Sequence, residues 1–220
     1  MTPEEEKETD TYTYDRDAAI EYAEEWSNSM QGIHPALETV LGKMGIGRNG
    51  EYYSYSTNCA NFVSQCMYAG GINQNSSWYS NKKRVEWISG SGNHSATYYE
   101  YDVAPAWRLA QDQFDYFSDT KNGYANGDYI IITSVDEIEE KVNEYNIQKG
   151  DLMYFIDQKG NVEHATIISN IIDGQILYSG NTTRRYDYPL ADALQTGNYG
   201  GVYIVRIKDE LDCEGGNCIE

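Results

Sequence analysis

The chain is short of positive charge, of histidine and of long apolar runs, and each shortage removes a class of function. Sixteen Lys and Arg stand against 35 Asp and Glu, a formal charge of −19. Phosphate backbones and anionic lipid surfaces require basic clusters, so nucleic acid and an anionic membrane are excluded as expected partners. The one basic run, Lys82-Lys83-Arg84, reads as a solvated loop or helix end. No stretch reaches the ~18 apolar residues of a membrane span. No signal peptide is recognised in this sequence, and Thr-Pro-Glu-Glu-Glu after Met1 reads as a trimmed start.

Cysteine is also scarce, and the four residues fall into unlike pairs. On one helix, Cys59 and Cys66 would be separated by about 10.5 Å of axial rise, beyond the ~7 Å Cα limit of a disulfide. Cys213 and Cys218 bracket Glu-Gly-Gly-Asn and suit a small disulfide loop in an oxidising compartment. No second Cys/His pair is spaced to complete a zinc site, and no cofactor or metal is expected. What is abundant is tyrosine, 21 residues against four Phe, which fits an exported bacterial protein.

At 220 residues the chain fits one domain, large enough to bury a core without disulfides. Residues 1–13 are acidic and aperiodic, an expected disordered segment, and 209–220 an expected flexible tail, leaving a domain over 14–208. Asp15 caps a helix striped by Ala19, Tyr22, Ala23 and Trp26. Residues 73–103, rich in Asn, Ser, Gly and Tyr, read as an irregular insertion. Pro105 opens a helix carrying Trp107, Ala110, Phe114 and Phe117. Ser134 and Glu137 form a capping box. The period then changes: 152–156, 165–171, 175–178 and 202–207 are short β-branched or aromatic runs between turns. Helices first and an antiparallel sheet afterwards make an α+β organisation.

The segment Thr57-Asn58-Cys59-Ala60-Asn61-Phe62-Val63-Ser64-Gln65-Cys66 carries the chemistry. Cys59, Phe62, Val63, Cys66, Met67 and Gly70 follow one helical face, and Gly70-Gly71 ends it. A thiol at the helix start lies beside unpaired N–H groups and the positive dipole end, which favours thiolate, the nucleophile. A small buried hydrophobe is the competing reading of Cys59.

His34, before Pro35, and His94, among Ser, Gly and Asn, read as surface residues. His164 opens a strand just after a turn, where a rigidly held imidazole can face a cleft and serve as the general base; a half-buried strand residue is the competing reading. A hairpin through Asp173-Gly174 returns Asn181 towards His164, with Asp187 the weaker alternative for orienting the ring. Asn181 as a plain turn residue is the competing reading. The Cys59 amide is the first oxyanion donor; Tyr53, Tyr55 and the Asn58 side chain are open choices for a second. Trp78 and Trp87 suit either a cleft wall or the core.

These residues resemble a known family. Tyr14-Asp15-Arg16-Asp17-Ala18-Ala19, the cysteine segment with Ala69-Gly70-Gly71, Ala106-Trp107, Gly150-Asp151-Leu152 and His164-Ala165-Thr166-Ile167 are similar to the putative amidase domain of exported, mostly Gram-positive proteins. That family resembles the papain-like NlpC/P60 and CHAP cell-wall hydrolases. The resemblance implies a papain-like fold, with the nucleophile helix packed on a C-terminal antiparallel sheet. It also implies a Cys59–His164 dyad and cleavage of amide bonds, peptidoglycan being the implied substrate, at an extracellular or wall-associated location. Ala60 stands where relatives carry Thr, and Asn181 where many carry His; an Asn carbonyl accepts an imidazole N–H equally well. A wall- or glycan-binding module without catalysis, using the aromatic stretch 78–101, is the alternative from another class. A transpeptidase sharing the dyad is a third.

Overall fold

The computed structural model describes residues 11–28, 40, 48–88, 95–182 and 184–212. His34, His94, Cys213 and Cys218 lie outside the described residues. The first strand, β1 (Thr11–Thr13), leads into α1 (Arg16–Asn28). Asp15 caps α1 as the sequence suggests, its Oδ1 accepting from the Ala18 N–H at 3.0 Å. The helix α2 (Cys59–Ala69) is buried from Cys59 through Met67. Nothing larger than glycine fits at Gly70, where a Cβ would lie 2.5 Å from the Tyr14 ring and 2.8 Å from the Asp15 carbonyl, and Gly71 at φ 90° turns the chain out of the helix.

Residues 80–103, expected to be irregular, instead form a ribbon of β2 (Ser80–Ile88) and β3 (Ser95–Val103), and the basic run lies inside β2. The ribbon stands off the main sheet with both faces largely exposed. It therefore lacks the alternation that marks a half-buried strand. The helix expected after Pro105 is two helices, α3 (Pro105–Arg108) and α4 (Ala110–Ser118), parted by an extended Leu109.

The second half holds β4 (Ile130–Ile132), α5 (Ile138–Tyr145), β5 (Leu152–Ile156), β6 (Val162–Ile172), β7 (Gln175–Asn181), β8 (Arg184–Pro189), α6 (Leu190–Gln195), β9 (Gly201–Val205) and β10 (Glu210–Asp212). The capping box is displaced by one residue: Glu137 reaches back to the Thr133 N–H at 3.1 Å, and the Ser134 side chain makes no cap. The β6–β7 hairpin turns at Asp173 and Gly174, both at positive φ (49° and 74°), the geometry that Asp-Gly favours. β1 pairs with β10, so residues 11–13 and 210–212 are strands rather than loose ends.

The main sheet is antiparallel, ordered β4-β9-β5-β6-β7-β8. It is covered by helices on both faces. Leu152, Tyr154, Ala165 and Ile167 pack with α1, α2 and α4. Met153, Phe155, Ile168, Ile176 and Tyr178 pack under α5 and α6 on the other face, as two-residue alternation requires. The α+β class holds. Among the described residues no helix is long and apolar enough to cross a membrane.

Two sequence-distant contacts lock α1 to the sheet. Tyr14 donates its hydroxyl to the Gly150 carbonyl at 3.0 Å. Arg16 pairs with Asp151 at 2.8 Å, and Asp151 also accepts from the Gln148 and Ile207 amides.

Candidate active site

Cys59 begins α2 and is 7% exposed. The His164 imidazole and the main-chain N–H groups of Ala165 and Ala60 bear on its sulfur. Burial pushes the thiol up, but the imidazole's hydrogen bond and charge, with the two amides, outweigh it and hold the pKa lowered to about 7. Cys66, on the same helix, has no such partner, and burial pushes its thiol well above the ordinary value. Both cysteines are free.

His164 sits near the start of β6, half-buried, with its ring 6.0 Å from that of Phe155. The end of β7 does return to it. Gly180 borders the ring: a Cβ there would make an ordinary contact, 3.6 Å from His164 Nε2. The main chain next to the site departs from regular pairing: β7 shifts register between Tyr178 and Gly180. The Ala165 amide in β6 turns to the Cys59 sulfur.

Asn181 is brought close but is not hydrogen-bonded to His164. Its Oδ1 accepts from Asn58 Nδ2 at 3.1 Å, and its Nδ2 donates to the Trp26 carbonyl at 2.6 Å. Asp187 lies in β8 at positive φ, with Oδ1 buried and no hydrogen-bond partner, and it does not reach the imidazole either. Among the described residues, then, the ring is joined by hydrogen bonds to neither of the two candidates for orienting it.

Asn58 is fully engaged. Its N–H donates to Thr182 Oγ1 at 3.0 Å, and its Oδ1 accepts from the Tyr55 N–H at 3.2 Å and Asn61 Nδ2 at 2.9 Å. The Cys59 amide, first of the helix, has no acceptor among the described residues, which leaves it free for an oxyanion. Tyr53 and Tyr55 hold the approach to α2 through their main chain, and turn their rings towards Tyr101 and Arg108.

The other polar residues of the cysteine segment are scaffold. Asn61 also donates to the Tyr53 carbonyl and accepts from Trp107 Nε1, both at 2.9 Å. Ser64 accepts from Trp78 Nε1 and Gln113 Nε2 and donates to the Trp107 carbonyl. Trp78 is therefore core, whereas Trp87 is 53% exposed on the ribbon.

A cavity of about 340 Å³ opens beside the imidazole, lined by His164, Tyr178, Thr182, Arg185, Tyr188 and Tyr199 among others. Arg185 lies 3.9 Å over the Tyr188 ring. Sequence reasoning missed Gly180, Thr182, Arg185 and Tyr199. They come from a strand end, β8 and a loop with no periodic signal, and only the sheet assembles them.

The putative amidase domain matches residues 13–205. The chain belongs to that family. It is also 26% identical over 174 residues to the uncharacterized protein YhbB of Bacillus subtilis (strain 168), a match covering 75% of this chain and 40% of YhbB. The chain thus spans about two fifths of that relative. No solved structure matches.

Proposed function

We propose that the chain is a cysteine-dependent amidase of papain-like type, acting on peptide bonds of bacterial cell-wall peptidoglycan. The observation that carries this is the Cys59 sulfur, at a helix start and beside the His164 imidazole, which lowers its pKa to about 7. At neutral pH a large share of the Cys59 sulfur is then thiolate, the form that attacks.

The thiolate attacks the amide carbonyl, forming a C–S bond and a tetrahedral oxyanion, which the Cys59 N–H receives. His164 gives its proton to the leaving nitrogen as the C–N bond breaks, leaving a thioester. The neutral imidazole then takes a proton from water, whose oxygen attacks the thioester. Collapse releases a carboxylic acid and restores the thiolate–imidazolium pair. Asn181 acts indirectly in this scheme, holding Asn58 and so the start of α2.

The net charge of −19 favours a neutral or cationic substrate over a polyanionic one. A wall substrate implies extracellular or wall-associated action. Digestion of purified peptidoglycan with mass analysis tests the proposal. The native chain is expected to release fragments heavier by one water per cleaved amide, and Cys59→Ala none. Equal product from both proteins, or none from either, rejects it.

A further inference from the structure

Between the β2–β3 ribbon and the segment entering α2 runs a groove of about 480 Å³, lined by Tyr53, Tyr55, Tyr99, Tyr101, Val103 and Arg108 and bordered by Asp102. That volume is in the range of small-ligand sites, roughly 300–1,000 Å³. Strand alternation sets Tyr99, Tyr101 and Val103 on one ribbon face. The Tyr53 ring joins the two walls, 4.7 Å from Tyr55 and 5.5 Å from Tyr101. Lys82 fastens the ribbon to the loop through the Gly50 carbonyl and Glu51.

The chemistry of the lining selects its occupant. A cation is disfavoured, because Lys82 already lies 4.5 Å from the Tyr99 ring centre and Arg108 5.9 Å from that of Tyr55. An anion meets Asp102 and a chain of charge −19. A purely apolar ligand would desolvate the Arg108 guanidinium, which has no hydrogen-bond or ion-pair partner among the described residues. A neutral glycan meets every condition. Its C–H faces lie on tyrosine faces, whose quadrupole attracts them, and its hydroxyl and acetamido oxygens take the guanidinium N–H groups.

The groove is also tied to the nucleophile. Tyr55 donates its N–H to Asn58 Oδ1 and Tyr53 accepts from Asn61 Nδ2, the two asparagines that flank Cys59-Ala60. We infer that the groove binds the glycan strand of the wall polymer, a chain of N-acetylated hexosamines, while its peptide enters the Cys59–His164 site; this rests on the amidase reading.

The test is calorimetric titration of chitotetraose, a soluble N-acetylglucosamine oligomer, into the Cys59→Ala protein. Saturable binding is expected, weakened about tenfold or more by Tyr101→Ala and by Arg108→Gln. Trp87→Ala, on the opposite ribbon face, should leave it unchanged. Arg108 lies on α3, outside the ribbon, so its variant stays informative if Tyr101→Ala disturbs the hairpin. Absence of saturable binding, or binding indifferent to both substitutions, overturns the inference. So does displacement of chitotetraose by a sugar-free stem tetrapeptide, which would make the groove a peptide site. Glycan binding by a native chain that releases no wall fragments would reject the amidase reading alone.

Discussion

Asn58 Nδ2 donates to Asn181 Oδ1 at 3.1 Å, joining the residue before the nucleophile to the end of the strand beside the imidazole. Asn181 passes the connection on to the Trp26 carbonyl at the end of α1. One buried carboxamide thus holds three elements around the site. Asn181→Ala is expected to cost about 1–3 kcal/mol of stability by leaving these groups unpaired, read as a lower melting temperature. The ionisation midpoint of Cys59 should stay near 7, because the substitution touches neither the sulfur nor the ring. A raised midpoint would show that the carboxamide acts on His164.

Gly180 borders the imidazole. Alanine there would make only ordinary contacts, at 3.4 Å from Thr166 Cγ2 and 3.6 Å from His164 Nε2. The branched side chain of Gly180→Val reaches further and must displace the ring. Wall hydrolysis should fall about tenfold or more, with circular dichroism unchanged. Full activity in Gly180→Val would place the working imidazole elsewhere.

The Tyr14–Gly150 and Arg16–Asp151 contacts explain why two sequence-distant motifs occur together: they fasten α1 to the sheet and lie apart from the chemistry. Removing one member of a buried ion pair leaves the other uncompensated. Asp151→Ala should therefore destabilise by about 3 kcal/mol, measured by urea unfolding. Cys59 should retain its alkylation profile in the folded variant. Loss of the profile without loss of stability would move Asp151 into the catalytic machinery.

The sequence made the helix-borne thiol and the strand-borne imidazole legible, because each depends on a local pattern: a helix start at Cys59 and a strand after a turn at His164. The Asp173-Gly174 turn is equally local, so the return of β7 towards His164 could be foreseen. Other features depend on contacts between distant segments. The destination of Asn181 is decided by α1 and α2, and no local pattern marks it. The β2–β3 ribbon escaped notice because neither face packs on the core. The short β4 and β10 were hidden by their length, and Leu109 breaks a helix whose apolar spacing runs on unbroken.

The central claim, that His164 makes Cys59 a thiolate nucleophile, is tested most directly by site-resolved iodoacetamide labelling as a function of pH. A lowered pKa means that thiolate accumulates as pH rises through about 7, so the Cys59 rate should be half-maximal there, with Cys66 almost unlabelled. In His164→Ala only the two amides still oppose burial, and the midpoint should move up to the ordinary thiol value of about 8.5 or above. Slow, equal labelling of Cys59 and Cys66, or a midpoint unmoved by His164→Ala, would contradict the account.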